Sequence, residues 1–108
     1  MAFKSLAQPN IGISGSPTVV TATVSAGQTQ TLIGLSFANT ASSNVTVSAK
    51  LNKSGGASAF LLKDATILPG GALAIVGGDQ KVVLETGDTI TAYASAANSV
   101  DAVLSYLV

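Results

Sequence analysis

Residues 68–90 read LPGGALAIVGGDQKVVLETGDTI. Pro69-Gly70-Gly71 turns the backbone, Ala72 to Val76 runs apolar, and Gly77-Gly78-Asp79-Gln80 turns it again. Lys81 to Glu85 forms a second apolar run, and Thr86-Gly87-Asp88 leads into a third. Runs this short, bounded by Gly, Pro and Asp, predict a meander of strands with the GGDQ segment as a hairpin turn. Leu73, Ile75, Val82 and Leu84 are expected to face the core, while the glycines and Asp88 set the register.

The same grammar extends in both directions. Thr18 to Val24 is rich in β-branched residues, which fit a pleated surface better than a helix. In the run Thr29 to Ala38, Thr31, Ile33, Leu35 and Phe37 are expected on one face, with Leu32, Gly34, Ser36 and Ala38 on the other. Val45, Val47, Ala49 and Leu51 alternate with Thr46, Ser48 and Lys50, the pattern of a strand with one buried and one wet face. Ala59 to Lys63 and Ala65 to Leu68 read as one strand bent at Asp64. Thr89 to Ser95 alternates again, and in Ser99 to Val108 the even positions are apolar, with Val103 and Leu107 opposite. The reading is all-β: one β-sandwich or jelly-roll-like domain of about seven to nine short, mainly antiparallel strands over residues 18–108.

Residues 1–17, MAFKSLAQPNIGISGSP, lack a helical or strand period and are rich in Gly, Ser and Pro. They are expected to form an extended N-terminal arm carrying Phe3, Leu6, Ile11 and Ile13 as spaced apolar pegs beside Lys4. Ordering such a segment costs about 1–2 kcal/mol per residue in backbone entropy, so an ordered arm must touch something. That surface is either its own sheet or a neighbouring subunit. These five residues are the candidate protein-interface residues, and Phe3 is the strongest anchor among them.

Composition limits the function classes. A chain of 108 residues is a single domain. It is 47% hydrophobic but only 9% charged, with five Lys balancing five acidic residues. A lone domain with so few charges and no net charge tends to associate, which favours a surface covered by partners. The absence of Arg and of net positive charge argues against nucleic acid. No run approaches the roughly 18 apolar residues of a membrane-spanning helix, and Gln8, Pro9 and Asn10 interrupt any signal-peptide core.

Histidine and cysteine are absent, which removes the commonest general base, the thiol nucleophile and most transition-metal ligands. Ser5 beside Lys4 and Ser54 beside Lys53 are the remaining hydrolytic pairs, and a nucleophile needs an oriented base that neighbours in sequence do not supply. Asp79, Glu85 and Asp88 form a carboxylate group near turns, but their spacing fits no calcium loop, and Asp-containing turns bonded to backbone explain them better. No catalytic, cofactor or metal residues are therefore expected, and no small-molecule substrate. A carbohydrate- or ligand-binding sandwich is a more distant alternative, weakened by the lack of Trp.

The block Leu68-Pro69-Gly70-Gly71, Lys81 to Ile90, Ala94-Ser95-Ala96, Ser99 to Val103 and Ser105-Tyr106-Leu107 resembles one in small structural proteins of tailed bacteriophages. Leu35 to Thr40 with Val45-Thr46-Val47 is similar to the preceding hairpin of those proteins. The resemblance spans most of residues 29–108 and leaves the arm unmatched. It implies a non-enzymatic virion component, foremost a capsid cement or decoration protein bound across junctions of the major capsid protein. A neck, tail or fibre-associated component is the alternative. The implied partners are the major capsid protein and copies of the chain itself, as in a trimer. The implied location is the virion, after synthesis in the host cytoplasm.

Overall fold

The computed structural model describes residues 2–77 and 81–108. Nine strands form: β1 (Phe3–Gln8), β2 (Thr18–Val19), β3 (Thr29–Asn39), β4 (Val45–Asn52), β5 (Ser58–Ile67), β6 (Ala72–Val76), β7 (Val82–Glu85), β8 (Thr89–Ala94) and β9 (Val100–Leu107). They make two antiparallel sheets. Sheet A runs β1-β9-β3-β6, with β7 also paired to β3, and sheet B runs β2-β8-β4-β5. β6 pairs with residues 35–38 of β3 and β7 with residues 29–32. Counted as one interrupted strand, they complete the eight-strand order of a jelly roll. The core between the sheets holds Phe37, Leu32, Leu35, Leu84, Ile90, Leu104 and Val47, each fully buried.

The meander reading of residues 68–90 is corrected. β6 and β7 both run antiparallel to β3 and make no ladder with each other among the described residues. The two apolar runs find their partner in the eleven-residue β3 rather than in their neighbour. The expected GGDQ turn falls largely on residues 78–80, which lie outside the described residues. β8 belongs to the other sheet, so Thr86-Gly87-Asp88 is a crossing between sheets, not a hairpin. Val82 and Leu84 are buried, and Leu73 and Ile75 pack half-buried against the core, as the alternation predicts.

β3 departs from strict alternation. Gln30 and Leu32 are buried, and then Leu35, Phe37 and Asn39 are. The register against β9 shifts between Leu32 and Gly34. A bulge adds one residue there, so the buried parity changes from even to odd numbers. Ile33 is left half-buried and outside the core cluster. In β5 the expected bend is present: Asp64 has φ 51°. Its N–H donates to Ser48 Oγ at 2.9 Å, which also explains why Ser48 is buried on the nominally wet face of β4. Thr18 to Val24 yields only two strand residues. Val20 and Val24 still enter the core, and the Thr21 hydroxyl accepts from Ile90 N–H at 3.2 Å in place of a ladder bond.

The expected boundary at residue 17 does not coincide with a break in the fold. β1 pairs with β9 over six positions, from Phe3↔Leu107 to Gln8↔Ala102. Asn10 turns the chain with φ 53° and donates its N–H to Asp101 Oδ1. Ile11 N–H then donates to Val100 C=O in sheet A, and Gly12 C=O accepts from Ala94 N–H in sheet B. Residues 10–12 thus form a corner that carries the chain from one sheet to the other. The segment does lie against its own sheet, as an edge strand rather than a separate arm.

Candidate protein-interaction face

The registers across sheet A place outward side chains in rows, because directly paired residues point to the same face. One row is Phe3, Leu107, Thr31 and Val83. The next is Ser5, Ser105 and Gly34, and the third is Ala7, Val103, Ser36 and Ala74. No charged side chain stands in these three rows. Charges flank them among the described residues: Glu85 opposite Thr29, Asp101 opposite Ala38, and exposed Lys81 just ahead of β7 with the outward parity of Val83. Three large apolar side chains stand open on the face: Phe3 is 75% exposed, Val83 53% and Val103 49%. The bulge adds Ile33 to this side.

Sheet B presents a different exterior. Phe60 lies between two lysines, with Lys50 Nζ 5.3 Å and Lys63 Nζ 5.0 Å from its ring centre. Lys63 also pairs with Asp64 at 3.4 Å, and the Asp64 charge, then Tyr93, raise its pKa. Sheet A thus presents three rows of uncharged side chains, and sheet B presents an aromatic ring set between two lysines.

The carboxylates singled out in the sequence do not assemble. Asp88 is buried, its side chain 1% exposed, and its Oδ2 accepts from Lys53 Nζ and from Glu85 N–H at 2.9 Å. Its Oδ1 accepts from Ser54 N–H at 3.0 Å. Lys53 Nζ also reaches Glu85 Oε1 at 3.1 Å. The carboxylate is thus occupied by one ammonium and two backbone donors, and no metal-binding group occurs among the described residues. Asp79 lies outside them. Gly87 closes this crossing with φ 85°, and a Cβ there would stand 2.7 Å from Ser54 Cβ.

The Lys53 ammonium and the two backbone donors hold the Asp88 pKa at about 2, below its usual 3.8. A lowered folded-state pKa means that this carboxylate stabilises the fold above about pH 4 and loses that contribution as pH falls toward 2. The urea midpoint is expected to drop across that window. Asp88→Asn should lower the midpoint at pH 7 and flatten the drop. A variant that keeps the wild-type acid profile would assign the drop to another group.

Lys4 and Ser5 point to opposite faces of β1, and Lys53 is held by Asp88 and Glu85, so neither Ser-Lys neighbour pair brings an amine to a hydroxyl. Lys4 instead lines a cleft of about 460 Å³ at one end of the sandwich, together with Thr23, Ser25, Gln28, Gln30 and Tyr106.

The five candidate interface residues separate in space. Phe3 stands on the neutral face, and Lys4 and half-buried Leu6 point to the inner side of β1. Ile13 is 45% exposed in a turn beyond the corner. Ile11 is 0% exposed and belongs to the protein's own core, so it is not available as a peg. Val83, Val103 and Leu107 were not among the candidates, although Val103 and Leu107 read as the outward side of the last strand. Their convergence with Phe3 depends on which strands are neighbours, and local pattern carries no signal for that. No known protein family and no curated protein matches the chain.

Proposed function

We propose that this chain is a non-enzymatic structural protein of a tailed-phage virion, a cement or decoration subunit that sits across junctions of the major capsid protein. The observation that carries this reading is the set of three uncharged rows on the outer face of sheet A, from which Phe3, Val83 and Val103 stand exposed on three strands. A monomer that remains alone in water has little reason to present such a face, and a subunit whose face is covered by protein does. The resemblance of residues 29–108 to phage structural proteins supplies the setting, since a jelly roll by itself serves many functions. Many identical copies would each bury a modest area, and the assembly gains through multivalency.

The test is decoration of particles that lack the protein. Wild-type chain should bind at hundreds of copies per particle, whereas a dozen or fewer would move it to the neck, tail or fibre. Val103→Lys places an ammonium within the uncharged rows without touching the core. It should raise the apparent dissociation constant for the particle by at least about tenfold, a change of about 1.4 kcal/mol. Full decoration by the Lys variant would sink the reading.

A further inference from the structure

We infer that the free edge of β1 is a docking site for one extended strand of a partner protein, and that Lys4 selects a strand with a carboxylate side chain opposite it. This contact lies on the edge of sheet A, not on its outer face, and it does not depend on the docking reading of that face. The phase of the ladder between β1 and β9 carries it. Ala2 and Val108 exchange both of their backbone bonds, N–H to C=O at 2.8 Å and 2.9 Å. In an antiparallel pair such doubly bonded positions recur at every second residue. Lys4, Leu6 and Gln8 therefore turn their backbone groups toward β9, at Tyr106, Leu104 and Ala102. Phe3, Ser5 and Ala7 turn theirs to the free side of the strand. No described residue bonds to those outward N–H and C=O groups.

No other edge among the described residues matches it. The pairing of β5 shifts register on both sides of Ala49, and Asp64 interrupts β5 with φ 51°. β2 has only two residues. β6 is five residues long beside a register shift in its own pairing, and β7 is four residues long. β1 presents six residues in unbroken register. Evenly spaced donors and acceptors of that kind are what an added strand requires.

Lys4 decides which strand fits. An inward-pointing charge guards a sheet edge, because a strand that pairs beside it must answer that charge. Lys4 lies on the inner side of β1 and lines the end cleft with Tyr106 and Gln30, and no acidic side chain lines that cleft. Lys4 makes no ion pair with any described residue. An antiparallel strand bonded to Phe3, Ser5 and Ala7 sets one inward side chain beside Lys4 and another beside Leu6, both at the closely spaced, non-bonded positions. Asp or Glu beside Lys4 and an apolar residue beside Leu6 satisfy both. A second copy of β1 does not. In the register that uses all three outward positions, with Ser5 opposite Ser5, each Lys4 stands beside the other copy's Leu6 and gains no anion. The partner is therefore a different protein, and its strand alternates a carboxylate with an apolar side chain on one face.

The probe is the acetylated and amidated peptide TTVTEVT, whose antiparallel docking sets its Glu beside Lys4 and its first Val beside Leu6. Neutral backbone bonds and an exposed ion pair are each modest once water is displaced, so a dissociation constant of about 1 mM is expected. In nitrogen–proton correlation spectra of the wild-type chain, the amide signals of Phe3, Ser5 and Ala7 should shift as peptide is added to about 5 mM. Those of β5 should not. Lys4→Glu should weaken binding about five- to tenfold, and TTVTKVT should recover the loss on that variant. The spectrum of the unbound variant establishes that it is folded. TTVTEVT methylated on the backbone nitrogen opposite Ser5 should give no shift. Silence at β1, equal binding of TTVTEVT and TTVTKVT by the wild-type chain, or undiminished binding of the methylated peptide overturns the inference. Shifts at Phe3, Ser5 and Ala7 that grow with protein concentration alone assign the edge to a second copy and overturn it too. If the peptide binds as expected yet Val103→Lys decorates fully, the edge stands and the docking reading of the outer face falls. If the peptide does not bind yet Val103→Lys loses decoration, the edge inference falls and the docking reading stands.

Discussion

Deleting residues 1–15 is expected to leave a chain without a cooperative thermal transition, not a folded sandwich stripped of an arm. Three losses coincide. The six-position ladder between β1 and β9 disappears and leaves β9, whose Val100, Ala102 and Leu104 are buried, as a bare edge. Bare edges of this kind promote association. The corner bonds from Ile11 to Val100 and from Ala94 to Gly12 are lost, and with them a tie between the two sheets. Ile11 itself leaves a hole in the core. An Ile→Ala change at a fully buried site costs about 2–5 kcal/mol, and a domain of this size has only about 5–15 kcal/mol in total. The three losses together exceed that margin. Differential scanning calorimetry of the truncated chain checks it. A sharp transition within about 5 °C of the full-length protein would mean that residues 1–15 are dispensable to the fold.

Gly12→Ala is expected to be the most damaging single substitution among the glycines. A Cβ on residue 12 would stand 2.0 Å from the backbone carbonyl oxygen of Ser16. Neither side can yield cheaply. Gly12 N–H is bound to Thr18 Oγ1 at 2.9 Å, and its C=O is bound by Ala94 N–H. Ser16 is fixed by its own N–H bonding to Ile13 C=O. Relief of the clash must break one of these bonds or reopen the corner, a cost of about 3 kcal/mol or more. Gly15→Ala and Gly55→Ala are the controls, since nothing lies within 4 Å of a Cβ at either position. They should change stability by less than about 0.5 kcal/mol. Urea unfolding of the three variants separates a steric cause from a general cost of losing glycine. Equal effects at all three would remove the corner from the explanation.

Both expectations concern a segment that its own sequence describes poorly. Residues 3–8, FKSLAQ, mix polar and apolar side chains without a clean period. They are a strand because β9 offers them a ladder, not because of intrinsic preference. A short edge strand carries little side-chain pattern, since neither of its faces is fully covered. Ile11 illustrates the same point. An isolated Ile between Asn10 and Gly12 looks like a peg for a partner, and only the corner geometry turns it inward.

The candidate face divides along the same line. That Val103 and Leu107 point opposite to the buried side of β9 was legible, because alternation within one strand is local. That Phe3, Val83 and Val103 share one surface was not, since they sit on three strands distant in sequence. The Asp88 turn lies between these cases. An aspartate after Thr86-Gly87 predicts backbone bonding, and the two amide donors follow that prediction. Lys53 comes from another loop, and its position beside Asp88 depends on how the sheets pack.

By itself the sequence determined an all-β chain, the place of most strands and the bend at Asp64. These properties follow from side-chain size, branching and the two-residue period, which act over a few residues. The tertiary structure alone decided which strands are neighbours, the shift of parity at the β3 bulge and the joining of β6 and β7 along one strand. It also decided the absorption of residues 3–12 into the sandwich and the convergence of Phe3, Val83 and Val103 from three distant strands. Those outcomes depend on backbone donors and acceptors finding partners far along the chain, and the identity of the partner is not written in any local pattern.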